Sequence, residues 1–404
     1  MAVSKSTPSS IAPGSLRSYS AAAVAGIALF IYLVVWARRY GLDLRVYRES
    51  TTAWVDGRNP YLMTFTKSKL DFTYPPFALL ILDPLTWMSF AVTQWILWVV
   101  SVMAATASVV LVLKDRGFVG RAPLCFGAFA CVCTSMVVLE PARSGMNYGQ
   151  IEFVLMILVV ADLLVAPSSI RGIAVGIAAA IKLTPLIFIF VLIVRRDWRS
   201  VTRAAISFVV WTGFTWFLWP GLSHAYWDQD VIHPARVGTV TYGGNQSWYA
   251  IFYRPPFPAT GSAQAWLALS LATVIVGTFV AWRCVNSGRQ SFAIISVALA
   301  GLLISPISWT HHWIWVLLVP PMLVGPRRHE TKTVVRMMLW GLVALTIAGP
   351  YWWFSTGAAA DALDALLPVW TFTTLVVWST VEMMEWRRRP RHSEQPVSEE
   401  ATIP

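Results

Sequence analysis

The chain has few residues able to do chemistry, and they fall into five short polar stretches. In "LDLRVYRES" (Leu42 to Ser50) the residue of interest is Asp43. A carboxylate just past an apolar segment is either a helix cap, a partner for Arg39 or Arg45, or a general base working at a membrane surface. Arg45, Arg48 and Glu49 of the same stretch read as the headgroup-facing side of a juxtamembrane helix. In "KLTP" (Lys182 to Pro185) an ammonium stands inside an apolar run. At a bilayer centre it costs about 2.5–3.5 kcal/mol on insertion scales, so it either snorkels to water or meets an anion such as a lipid phosphate. "SPISWTHHW" (Ser305 to Trp313) sets His311 beside His312. Adjacent side chains on a helix diverge by about 100°, so one site is expected to use one of them comfortably. Such a histidine donates to a phosphate or sugar, or packs at the interface; no third ligand for a paired metal site is obvious.

"NYGQIE" (Asn147 to Glu152) brings Asn147 and Gln150 onto one helix face. Amides there hold sugar hydroxyls or bond neighbouring helices. "GGNQSWYAIFYR" (Gly243 to Arg254) adds Asn245, Gln246 and aromatic rings that suit a sugar. Trp and Tyr also belong to the membrane-interface belt.

The elements that must position these residues are transmembrane helices. The 404 residues are 56% hydrophobic and 13% charged. A soluble domain carries about 25% charge. Apolar runs of membrane-spanning length recur, where a β-barrel would show short alternating segments. Spans are expected near 19–37, 76–113, 122–139, 147–166, 201–220, 263–283, 289–306, 309–324, 335–354 and 364–386. The stretch 76–113 is too long for one helix. Asp83-Pro84 interrupts it, and a full span is expected from Phe90. Residues 171–194 must enter and return, because basic residues flank both ends. Two helices of roughly 11 residues, about 16 Å each, do not cross a core about 30 Å thick. The pair therefore breaks at KLTP, a geometry tolerated only in protein or beside a cavity. Counting that pair as two gives about 12 transmembrane or re-entrant segments in an all-α polytopic bundle.

With the N-terminus inside, the cytoplasmic pieces hold 20 of the 31 Lys and Arg. The net charge of +11 then reflects the positive-inside rule and calls for no nucleic acid partner. Residues 38–75 and 220–262 become outer loops, 1–18 and 387–404 cytoplasmic tails, and 19–386 the working domain. Cys125, Cys131, Cys133 and Cys284 lie in or beside apolar spans, so no disulfide framework is indicated. All the polar stretches converge on the outer face, which suggests a site there.

Taken together, Asp43 in "DLRVY", "GRNPY" (Gly57 to Tyr61), "FTYPPF" (Phe72 to Phe77), "NYGQIE", "KLTP", "GNQS" and "SPISWTHH" resemble the polyprenyl-phosphate-mannose-dependent α-mannosyltransferases of actinobacteria. These form glycosyltransferase family 87, in the integral-membrane GT-C class, and the resemblance spans roughly residues 20–325. Within the family the chain is most similar to the mycobacterial α-1,2-mannosyltransferases acting on phosphatidylinositol mannosides. The resemblance implies an outer-face catalytic aspartate, matched by Asp43. It implies a polyprenyl-phosphate-mannose donor, a phosphatidylinositol mannoside acceptor, no cofactor and no obligate metal. It places the site on the periplasmic face of the plasma membrane. Lys182, His311, His312 and Arg143 are then expected at the donor phosphate. Tyr47, Tyr61, Tyr74, Asn147, Gln150, Asn245 and Gln246 are expected at the sugars. "DQD" at Asp228 to Asp230 has the look of a metal motif and stands apart from that pattern. Lipomannan-branching and arabinofuranosyl transfer, and lipid-linked sugar transport, are the alternatives.

Overall fold

The computed structural model describes residues 13–35, 41–119, 122–230, 238–254, 262–324 and 331–388. The tails beyond these, and His233, lie outside the described residues. The chain begins with α1 (Pro13–Val35) and a helix of mixed polarity, α2 (Leu42–Val55), which carries Asp43 in its first turn. A small antiparallel hairpin follows, β1 (Thr64–Phe65) with β2 (Leu70–Asp71). Then α3 (Pro76–Leu82) runs through a 3-10 turn at Asp83–Thr86 into α4 (Phe90–Asp115). The break falls at Pro84, and Ser89 caps the restart by accepting from the Val92 amide (3.4 Å).

The charges around Asp43 hold α2 down rather than facing headgroups. Arg48 donates through Nη1 to the Leu85 carbonyl and to Thr93 Oγ1 (2.7 Å), tying α2 to the turn before α4 and to α4 itself. Glu49 accepts from the hairpin amide of Thr66 (2.9 Å), and Arg45 lies 4.1 Å over the Phe90 ring.

α5 (Ala122–Val138) bends by 82° into α6 (Glu140–Tyr148), and α7 (Glu152–Leu164) follows. The single span expected over 147–166 is therefore divided. Gly149 causes the division. It takes φ +74, and the Gly149 and Gln150 amides both return to the Gly145 carbonyl (3.1 and 3.0 Å), closing α6 in a Schellman-type turn.

Residues 171–194 form the expected broken pair. α8 (Ile173–Ile181) leads through Lys182 to a 3-10 turn at Thr184–Phe188 and then α9 (Ile189–Val194). Asp162 of α7 starts α8 by accepting from the Gly172 and Val175 amides (2.8 and 2.9 Å). Gly176 lets α8 lie close on the next long helix, since a Cβ there would sit 2.4 Å from the Ala204 carbonyl oxygen. At the far end, Lys182 leaves the helix in extended backbone, φ −149 and ψ 130, with Pro185 just beyond.

The remaining helices are α10 (Trp198–Leu218), α11 (Pro220–His224), α12 (Trp248–Tyr253), α13 (Ser262–Asn286), α14 (Gln290–Ile304), α15 (Val319–Leu323), α16 (Thr333–Ala348) and α17 (Ala358–Arg388). The expected span 309–324 is instead a 3-10 segment, Thr310–Leu318, ahead of α15. Two prolines, Pro320 and Pro321, stand where an α-helix would need amide donors. α14 is buried on every face and forms the centre of the bundle. Among the described residues six helices (α1, α4, α10, α13, α16 and α17) are long and apolar enough to cross a membrane, or seven spans if the bent α5–α6 pair is one. This is a multi-pass, all-α membrane protein whose other apolar pieces are short or broken.

Candidate active site

A cavity of about 520 Å³ opens where α2, the hairpin, the α6–α7 junction, Lys182 and the Trp309–His312 segment meet. Asp43 is on its wall. Burial, and then the negative charge of Glu152, push the Asp43 carboxyl up to about 7. Gln150 Nε2 donates to Asp43 Oδ2 and lies 3.1 Å from His311 Nε2. Gln150 Oε1 accepts from the Tyr47 hydroxyl (2.7 Å) and the Tyr74 hydroxyl (3.1 Å). Burial pushes both phenols upward, so both remain protonated donors. Lys182 Nζ donates to the Tyr74 oxygen (3.0 Å), to Glu152 and to His312 Nε2 (3.3 Å).

A second cavity of about 280 Å³ shares Lys182 and His312 with the first. Its other walls are largely apolar: Leu155, Leu183, Ile187, Phe188, Leu302 and Trp315 among them. Lys182 and His312 therefore stand between the chamber holding Asp43 and a smaller one walled mostly by apolar side chains.

The two histidines both reach the site, against the expectation of one. Their rings are perpendicular with centroids 4.6 Å apart. His311 turns to Gln150 and His312 to Lys182, and both line the larger cavity. Glu152, His311 and His312 offer ligand atoms within 4.8 Å of one another, close enough for a metal. Lys182 Nζ already sits on Glu152 and His312, and a divalent cation there would meet its charge at close range. "DQD" does not join this group: Asp228 pairs with His224 (2.9 Å) on the exposed surface, and the Asp230 side chain lies outside the described residues.

Of the residues singled out from the sequence, Asp43, Tyr47, Tyr74, Gln150, Lys182, His311 and His312 come together. Five do not line either cavity. Arg143 is half-buried on α6, on the side of Tyr351. Asn147 accepts from Tyr32 (2.5 Å), and Tyr61 is buried with its hydroxyl on the Tyr74 carbonyl (2.7 Å). Asn245 gives its amide to the Val240 and Pro306 carbonyls and accepts from the Ser308 amide. Gln246 donates to the Gly243 carbonyl. Asn245 thus ties the 238–254 loop to the segment ahead of the histidines, and Gln246 braces that loop from within, instead of facing the chamber.

Sequence reasoning passed over Glu152 as a site residue, although it lies in NYGQIE. It also missed Tyr148, Tyr242, Trp309 and Trp352 on the chamber wall. Glu140, buried on α6, accepts from Thr310, Tyr351 and Trp352 Nε1 (3.1, 2.9 and 3.1 Å) and so ties three parts of that wall together.

Residues 72–306 match the profile of glycosyltransferase family 87. The chain is also 30% identical over 360 residues to the polyprenol-phosphate-mannose-dependent alpha-(1-2)-phosphatidylinositol mannoside mannosyltransferase of Mycolicibacterium smegmatis, covering 82% of this chain and 79% of that one. The chain belongs to glycosyltransferase family 87. The protein of the same name from Mycobacterium tuberculosis is 32% identical over 293 residues, 69% of each chain. The alpha-(1-2)-phosphatidylinositol pentamannoside mannosyltransferase of M. smegmatis is 31% identical over 290 residues, 71% of this chain and 68% of its own. No solved structure matches. As a family 87 member the protein is an integral-membrane glycosyltransferase, and its matched region includes Tyr74, Gln150, Lys182 and the 238–254 loop, with Asp43 upstream of it.

Proposed function

We propose that this enzyme transfers mannose from polyprenyl-phosphate-mannose to a mannose 2-hydroxyl of a phosphatidylinositol mannoside, with inversion, on the periplasmic face of the plasma membrane. The observation that carries the proposal is the pairing of chambers. A carboxylate and a cation share a cavity with aromatic walls, and the cation also borders a smaller cavity lined mostly by apolar side chains. A lipid-phosphate sugar is amphipathic in the same way. Its phosphate fits beside Lys182 and His312, its first isoprene units fit the apolar chamber, and its sugar faces Asp43. The names of the relatives supply the donor and acceptor classes.

In the step, Asp43 takes the proton of the acceptor hydroxyl as that oxygen bonds to the anomeric carbon. The bond from that carbon to the phosphate oxygen breaks, and its electron pair leaves with polyprenyl phosphate. A β-linked donor gives an α-linked product. Lys182 stabilises the charge growing on the phosphate, a role that needs no cofactor. Tyr148, Tyr242, Trp309 and Trp352 offer faces for the acceptor sugars.

The test is Asp43→Asn in purified, folded enzyme. Turnover is expected to fall by about 10²–10⁴-fold, the usual worth of general base action. The wild-type rate should rise with pH through about 7, because the base works only once its proton is lost. Near-normal turnover of Asp43→Asn refutes the assignment. Sugar movement across proteoliposomes without glycosidic product would select transport instead.

A further inference from the structure

A primary amide has two N–H donors and one carbonyl oxygen with two lone pairs. In Gln150 all four are used. The carbonyl accepts from the Tyr47 and Tyr74 hydroxyls, and the NH₂ group serves Asp43 and His311. With Asp43 ionised, its working form as a base, the orientation is forced. An ionised carboxylate only accepts, so the NH₂ end must face Asp43, and the carbonyl is left to the phenols. The side chain is also buried, 5% exposed. A sugar hydroxyl could bind Gln150 only by displacing one of these partners.

We infer that Gln150 is a positioning residue rather than a sugar ligand: it holds Asp43 in register with the leaving-group cation through the chain Lys182, Tyr74, Gln150, Asp43. Each link donates toward the carboxylate. The ammonium donates to the Tyr74 oxygen, the Tyr74 hydroxyl to the amide carbonyl either directly (3.1 Å) or through the Tyr47 hydroxyl 2.8 Å away, and the amide N–H to Asp43 Oδ2. Bonds aligned this way polarise one another. With Oδ2 held, Oδ1 is the oxygen left to take the acceptor proton. The same amide fixes His311: the nitrogen facing Gln150 accepts, so a neutral His311 carries its proton on Nδ1.

This inference rests on Asp43 being the base. The charged and titratable groups facing Asp43 are Gln150's partners Tyr47, Tyr74 and His311, with Glu152 on α7 and Lys182 at the end of α8. Asp71 lines the same chamber. Glu152 opposes ionisation of Asp43, while Lys182 and the Gln150 amide favour it. Removing the amide therefore favours the protonated form.

The experiment measures kcat, both KM values and the pH–rate profile for Gln150→Leu, Tyr47→Phe and Asp43→Asn, with thermal unfolding in detergent as the folding control. Gln150→Leu is expected to lose about ten- to hundredfold in kcat, the worth of a hydrogen bond to a charged group. Its acid limb should move up by about one pH unit, since one pKa unit corresponds to tenfold. Both KM values should hold. Tyr47→Phe, which removes one donor from Oε1 and keeps the ring, should move the limb the same way by less, and it decides the matter if Gln150→Leu does not fold. A raised acceptor KM with an unmoved limb overturns the inference and makes Gln150 a sugar ligand. If Asp43→Asn keeps its turnover, the base assignment falls; if Asp43→Asn is dead while the limb stays put in the folded variants, only the role of Gln150 falls.

Discussion

Residue type announces hydrogen-bonding capacity, but not the partner that will use it. Asp43, Lys182 and the histidine pair were legible because charge or imidazole in an apolar chain has few cheap uses. Asn147, Asn245 and Gln246 looked equally suited to sugars, yet their amides go to Tyr32 and to loop carbonyls. Trp309, Tyr242 and Trp352 gave no signal, because 22 tryptophans and 12 tyrosines drown it. The most informative single residue for the donor is Lys182, which neutralises Glu152 and borders both cavities. Lys182→Ala leaves Glu152 buried without its cation, which should cost about 3–5 kcal/mol of stability. The double variant Lys182→Met with Glu152→Gln removes both charges and should recover much of that loss. Donor kcat/KM should stay depressed in both, because neither has a cation for the phosphate. Thermal unfolding and donor kinetics on the two variants check this; donor use recovering together with stability would remove Lys182 from the phosphate site.

At the scale of elements, prolines and parity made the broken helices readable. Asp83-Pro84 and KLTP both interrupt helices where expected, since a ring at either place removes a donor and clashes with the preceding turn. The division of 147–166 was hidden, because one glycine decides it. Gly149 does two jobs that a side chain forbids. Its positive φ closes α6 and turns Gln150 toward Asp43, and its missing Cβ admits α2. An added Cβ would lie 2.8 Å from Leu44 Cβ, next to the base itself. Gly149→Ala should therefore destabilise the protein by about 1–3 kcal/mol and push α2 off its seat. The lowered unfolding temperature should come with a fall in kcat larger than any change in donor KM. Unchanged stability and kcat would mean that α2 is not seated against this turn.

For the whole molecule, α4 serves as a ruler. Its 26 residues span about 39 Å. At its start Thr93 holds Arg48 of α2, beside the candidate site. At its end Asp115 accepts from the Ser291 amide (3.0 Å) and Arg116 donates to the Met322 carbonyl (3.1 Å). The same end gathers Arg289 with Glu382 (2.6 Å), Arg195 with Gln290 (2.7 Å) and Arg171 with Asp197 (3.3 Å). The arginine-rich end and the site are thus at opposite ends of the bundle. By the positive-inside rule the arginine-rich end is expected in the cytoplasm and the site on the outer face. The expectation is testable in cells with Cys125, Cys131, Cys133 and Cys284 replaced by alanine. A single cysteine is placed at exposed Ser68 of the hairpin or at exposed Arg199 at the start of α10. A membrane-impermeant maleimide should label Ser68→Cys in intact cells and Arg199→Cys only after permeabilisation. The opposite pattern would turn the chambers toward the cytoplasm. There sugar nucleotides are at hand, and the case for a lipid-phosphate donor would lose its topological support.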